Sequence, residues 1–117
     1  MNVFFDVLNT LLTEDEVPRP RPREALLILK KKGHDLYLWS SSGAGYAATA
    51  ADLLGVTDLV SGCFGKRREP GVPVNFVVDD DRSMVEAHGG YRIMPFDGDP
   101  KDEELMRVTQ AEEASKN

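Results

Sequence analysis

The chain has 117 residues, 41% of them hydrophobic and 29% charged, which suits one compact domain with a modest core and leaves no room for a second. Its formal net charge of -6 and pI near 4.8 argue against general affinity for nucleic acid or an anionic membrane. The single cysteine, Cys63, excludes an internal disulfide; with no basic leader segment and no apolar run near the roughly 20 residues of a membrane span, a soluble cytoplasmic protein is the expectation.

Val3-Phe4-Phe5 is a short continuous apolar run, the pattern of a strand buried on both faces of a parallel sheet, and it ends at Asp6. Thr13-Glu14-Asp15-Glu16 has the form of a short capping box. The following Val17-Pro18-Arg19-Pro20-Arg21-Pro22 excludes regular structure. Arg19, Arg21 and Arg23 read as a solvated loop, with recruitment of an anionic substrate as the alternative. Pro22 fits the first turn of a helix running to about Lys32, where Lys30-Lys31-Lys32 suits the C-terminal dipole and Gly33 the stop.

Asp35-Leu36-Tyr37-Leu38-Trp39 reads as the second strand and ends in Ser40-Ser41-Ser42. A helix from Ala44 to Leu54 follows, closed by Gly55. Residues 59–64 form the third strand, and residues 65–73 a basic, proline-containing connection. Asn75-Phe76-Val77-Val78 is the fourth strand, ending in Asp79-Asp80-Asp81. Ser83-Met84-Val85-Glu86 is a capping box opening a short helix that stops at Gly89-Gly90. Residues 91–96 are a fifth strand. A core domain thus spans 1–98. A polar tail covers 99–117, with an exposed helix over 102–114 and frayed last residues. The alternation of strands and helices predicts a three-layer α/β/α sandwich on a mostly parallel five-stranded sheet.

Two strands end in acids. In open parallel sheets ligands bind outside the carboxyl ends of the strands, and Asp6 with the Asp79-Asp80 pair forms an oxygen-donor set suited to Mg²⁺. Asp81 reads as a loop or capping residue. His34 and His88 flank helix-ending glycines and read as structural, Tyr37 and Trp39 as packing. Cys63 lacks a partner for catalysis or zinc.

Phe4-Phe5-Asp6-Val7-Leu8-Asn9-Thr10-Leu11 resembles the first motif of the haloacid dehalogenase-like (HAD) superfamily, a strand followed by D-x-D-G-T-L. Leu36-Tyr37-Leu38-Trp39-Ser40 is similar to its second motif, a strand ending in Thr or Ser. Phe76-Val77-Val78-Asp79-Asp80 is similar to its fourth, and Lys66 is the best match to the lysine of the third. The resemblance covers residues 2–96 and implies a Rossmann-like HAD core of the capless type. It implies a Mg²⁺-dependent phosphohydrolase acting on a small phosphorylated substrate or a phosphoprotein. Asp6 would be the nucleophile, forming an aspartyl-phosphate. The metal would be held by Asp6, the Leu8 carbonyl, Asp79 and Asp80. Ser40, with Ser41, would bind phosphate, Lys66 would neutralise its charge, and Thr10 would brace the turn.

The sequence departs from that pattern at the second acid of motif one, the general acid and base, where Leu8 stands. Losing such a group costs roughly 10²–10⁴-fold in rate. Asn9 replaces the motif glycine but tolerates left-handed backbone, and Met84 stands where many members carry a further acid. Three readings stay open: a substrate whose leaving group needs no proton, such as an acyl or aryl phosphate; a proton from Glu14, Asp15 or Asp81; or a catalytically degenerate domain with a binding or regulatory role. Dehalogenation does not fit, because no cap-sized insert is present. Gly43-Ala44-Gly45-Tyr46-Ala47-Ala48 fits G-x-G-x-x-A, but it follows the second strand, and the third strand lacks the acid that dinucleotide binding wants.

Overall fold

A computed structural model describes residues 1–115. Five strands, β1 (Asn2–Asp6), β2 (Asp35–Ser40), β3 (Gly62–Gly65), β4 (Phe76–Asp79) and β5 (Gly90–Arg92), make one sheet in the order β3-β2-β1-β4-β5. Every pairing is parallel, so the sheet is wholly parallel where it was expected to be mostly so. The helices are α1 (Pro22–Lys31), α2 (Ala44–Leu54), α3 (Arg82–His88) and α4 (Glu104–Ala114). The expected α/β architecture is therefore present.

Strand alternation sends side chains to two faces, and here both faces are apolar. Val3, Phe5, Leu36, Leu38, Phe76 and Val78 pack into one cluster with Ala25, Leu26 and Leu29 of α1, Ala47, Ala50 and Leu54 of α2, and Leu105 and Val108 of α4. Phe4, Tyr37, Trp39 and Val77 point to the other face. There Phe4 stacks on Tyr37 with ring centroids 4.8 Å apart and tilts against Trp39 at 4.7 Å. This second layer is thinner. Val72 and Val74 from the irregular connection and Met84 from α3 cover it, and α3 itself buries no residue fully.

Several local expectations need correction. Residues 59–61 are not strand: Leu59 and Val60 close a turn on the Val56 carbonyl, and β3 starts at Gly62. β5 ends at Arg92 instead of residue 96. Thr13-Glu14-Asp15-Glu16 opens no helix; the Thr13 hydroxyl accepts from the Val17 N–H in a turn with Glu16 at φ 63°. Ser83 and Glu86 form no capping box, because Asp81 caps α3 by accepting from the Ser83 N–H, while Glu86 pairs with Arg82. Asp81 is thus the capping residue expected of it.

The helix expected to lie exposed in the tail is α4, and it is half buried: Glu104, Leu105, Val108, Thr109 and Glu112 face the core. The expected fraying falls on residues 116–117, outside the described residues. Nor is the arginine-proline segment solvated throughout. Arg19 is fully buried, bidentate to Asp102 at 2.8 and 2.9 Å. It also donates to the Thr10 and Met94 carbonyls. Arg21 pairs with Glu24, and Arg23 with Asp58, both on the surface. His34 is structural as expected, buried against Glu112 with Nε2–Oε1 at 2.5 Å. Among the described residues no helix is long and apolar enough to cross a membrane.

Candidate functional site

The strand order reverses direction of growth at β1, which lies between β2 and β4. Such a switch point opens a crevice outside the strand ends, because the connections leave it in opposite directions. Asp6 ends β1 and Asp79 ends β4, so the two acids read from the sequence meet at that point. Asp6, Asp79 and Asp80 bring carboxylate oxygens within 4.8 Å of one another. A 260 Å³ cleft is lined by these three with Leu8, Asn9, Ser40, Ser41, Ser42, Lys66 and Asp81.

Lys66 follows β3 directly, and its backbone N–H donates to the Ser40 carbonyl at 3.0 Å, which fixes where the side chain starts. Its Nζ then bridges Asp6 Oδ1 at 2.8 Å and Asp79 Oδ2 at 2.9 Å. Arg67 and Arg68, the other candidates for this role, do not line the cleft; both line two neighbouring cavities, one of them shared with Lys66 and Glu69, and make no ion pair among the described residues. Thr10 is buried and donates to Asp6 Oδ2 at 3.2 Å. The turn between them needs left-handed backbone at Asn9, φ 62°, the conformation for which Asn was read as suitable. Ser40 is buried, its Oγ accepting from the Ser42 N–H at 3.0 Å, which leaves its hydroxyl proton free for a ligand. Ser41 is exposed on the cleft rim.

Burial makes the negative charge on Asp6 costly, and neighbouring Asp79 adds to that cost. Lys66 offsets only part of it, so the Asp6 pKa is pushed up to about 7. Burial also works against the Lys66 ammonium, but Asp6 and Asp79 outweigh it and hold its pKa above the ordinary lysine value. Asp81 is held below the usual carboxylate range by the hydrogen bonds from Ser83. It is thus a poor proton donor despite lining the cleft. Glu14 and Asp15 are exposed and do not line it. Leu8 does line it and has no proton to give.

One residue near the site escaped the sequence reading. Tyr46, on the first turn of α2, lies close enough for Asp6 and Glu16 to reinforce the rise that burial imposes on its phenol pKa. A tyrosine inside an alanine-rich helix carries no pattern that marks it. The Gly43–Ala48 segment follows β2 and opens α2, with Gly43 against Gly65 at the end of β3. No protein-family model matches the chain, and no curated protein matches it in sequence.

Proposed function

We propose that this is a HAD-like phosphohydrolase that uses Asp6 as nucleophile, needs Mg²⁺, and acts on phosphates whose leaving group departs without a proton. The observation that carries the reading is Lys66 Nζ bridging Asp6 and Asp79 at the sheet's switch point. A cation fixed between two buried acids suits a site that must hold a nucleophile and neutralise an incoming anion together. The donor set fits a hard cation, since Asp6, Asp79 and Asp80 offer only oxygen. When bound, the metal supplies Lewis-acid neutralisation of phosphoryl charge.

In the first step an Asp6 carboxylate oxygen bonds to phosphorus, and the bond from phosphorus to the leaving oxygen breaks, its electron pair leaving with an acyl carboxylate or aryl oxide. In the second, water's oxygen bonds to phosphorus and the bond from phosphorus to the Asp6 oxygen breaks. Asp6 recovers its carboxylate, and both water protons stay with the released dihydrogen phosphate. Thr10 holds the second Asp6 oxygen in place, and Ser40 hydrogen-bonds a phosphoryl oxygen. Neither step asks Leu8 for a proton, which is why an acyl or aryl phosphate is favoured over an alkyl one.

A second reading rests on Leu8 in the cleft and on Asp81 being tied up as a helix cap: a domain that binds phosphate for regulation and turns nothing over. Thermal stability with Mg²⁺ and beryllofluoride, which mimics a phosphoryl group on a carboxylate, tests the site without a known substrate. Binding to the folded state raises the Tm by mass action. The expected result is a Mg²⁺-dependent rise in Tm that Asp6→Asn abolishes; an unchanged Tm in the wild type would sink the phosphoryl-transfer reading. Acetyl phosphate hydrolysis then separates enzyme from binding domain. Leu8→Asp is expected to extend turnover to alkyl phosphates by roughly 10²-fold or more.

A further inference from the structure

Beside the acid cleft lies a larger cavity of 450 Å³, lined by Ser41, Ser42, Gly43, Ala44, Gly65, Arg67 and Arg68. The two share Ser41 and Ser42 and so adjoin at that turn. We infer that this cavity is a subsite for a second anionic group, a phosphate or a carboxylate, on the substrate. The inference rests on the phosphohydrolase reading and adds to it the class of substrate: a compound with two anionic groups.

Charge is the first argument. The chain carries a net charge of -6, yet no acidic residue lines this cavity. Arg19, Arg21, Arg23, Arg82 and Arg107 each pair with a carboxylate, which is how an acid-rich chain ordinarily satisfies its arginines. Arg67, Arg68 and Arg92, all exposed, form no such pair among the described residues, and of these Arg67 and Arg68 line the cavity. Two guanidinium groups left without partners beside a cleft offer the forked donors that phosphate and carboxylate accept.

The backbone is the second argument. α2 opens on this cavity with Gly43 at its N-cap, no side chain accepting from the first turn, and no acidic residue in that turn. Its first N–H groups and the positive end of its dipole therefore add to the arginines. Two glycines are among the residues that line the cavity. Gly43 holds φ 107°, a strained value for any other residue. A Cβ on Gly65 would come within 3.3 Å of the Gly43 Cα and 3.6 Å of the Ala44 nitrogen. A side chain at Gly65 would therefore press on the backbone that opens α2.

Amide NMR titrations with non-hydrolysable phosphonates in excess Mg²⁺ test the inference. Methylphosphonate carries one anionic group; phosphonoacetate and 3-phosphonopropionate carry two, at two separations. At least one of the two-group probes is expected to bind about tenfold tighter than methylphosphonate, the size of one charge-assisted hydrogen bond. It should shift the Asp79–Asp80 and the Gly43–Ala44–Gly65 amides together. Arg67→Gln/Arg68→Gln is expected to erase that advantage.

Ala44→Asp is a second variant, since an acid in the first turn favours the helix while repelling the second anion; it should erase the advantage with the fold intact. Equal affinities for all three probes, with shifts only near Asp79–Asp80, would overturn the subsite and leave the phosphohydrolase reading standing. Shifts only near Gly43–Ala44–Gly65 would show an anion site unconnected with a phosphoryl site and overturn the inference. Shifts at neither place would overturn both.

Discussion

Asp6 sits at the meeting of two demands that pull its charge in opposite directions. In the proposed role of nucleophile or metal ligand it must be ionised, but burial pushes its pKa from 3.8 to about 7. A folded-state pKa above the unfolded value means that Asp6 favours folding fully below pH 3.8 and progressively loses that contribution as pH rises through 7. The neutral variant Asp6→Asn has no such loss. Its Tm is expected to exceed that of the wild type at pH 8, by an amount equivalent to a few kcal/mol at most, and the excess should shrink as pH falls below 7 and vanish only near pH 3.8. Calorimetry across that range decides the matter, and a constant difference would contradict the ionisation argument. Metal binding requires the deprotonated acid. Mg²⁺ affinity in titration calorimetry should therefore strengthen about tenfold from pH 6 to pH 8.

At the scale of elements, the strand ends were legible because both faces of this sheet are covered. Val3-Phe4-Phe5 and Phe76-Val77-Val78 are unbroken apolar runs that end in acids, and such a run leaves little doubt about strand or direction. α1 and α2 were equally plain from Pro22, Gly33 and Gly55, whose backbone needs are local. What escaped was decided by tertiary contact. The apolar Leu59-Val60 pair reads as strand, yet it forms a turn on the Val56 carbonyl and packs against the core. Asp81 outcompeted Ser83 as cap because its carboxylate accepts from both the Ser83 N–H and its hydroxyl.

The start of β5 was also hidden, since it depends on a backbone approach that no pattern announces. A Cβ on Gly90 would lie 2.0 Å from the Val77 carbonyl oxygen, and φ is 145°. Gly90→Ala must break the β4–β5 pairing or displace β4, beside Asp79. A loss of about 3 kcal/mol or more in urea unfolding is expected, with reduced Mg²⁺ response. A change under about 0.5 kcal/mol, typical of surface sites, would mean that the approach is looser than described.

Across the whole molecule, Arg19 joins parts of the chain that the sequence keeps far apart. Its guanidinium ties Asp102, just before α4, to the Thr10 carbonyl, and Thr10 in turn holds Asp6. Burial alone would raise the Asp102 pKa, but the Arg19 hydrogen bonds hold it below the usual carboxylate range. Removing one partner strands the other in a buried place. Arg19→Gln should therefore cost roughly 3–5 kcal/mol of stability in denaturant unfolding, with Arg19→Lys recovering only part of it for want of the second fork. A full recovery by lysine would show that charge alone, and not the forked geometry, holds the segment.

The outermost strands, β3 and β5, are four and three residues long. Unpaired backbone on a sheet's margin is a template onto which another chain can add itself, and the risk grows with the length of straight strand on offer. These margins present little of it, and β5 is entered through Gly89 and begins on Gly90, both of positive φ, 82° and 145°, which bend the backbone out of the flat form that a template needs. The same brevity that made both strands hard to bound in the sequence guards this small, acidic domain against polymerising edge to edge.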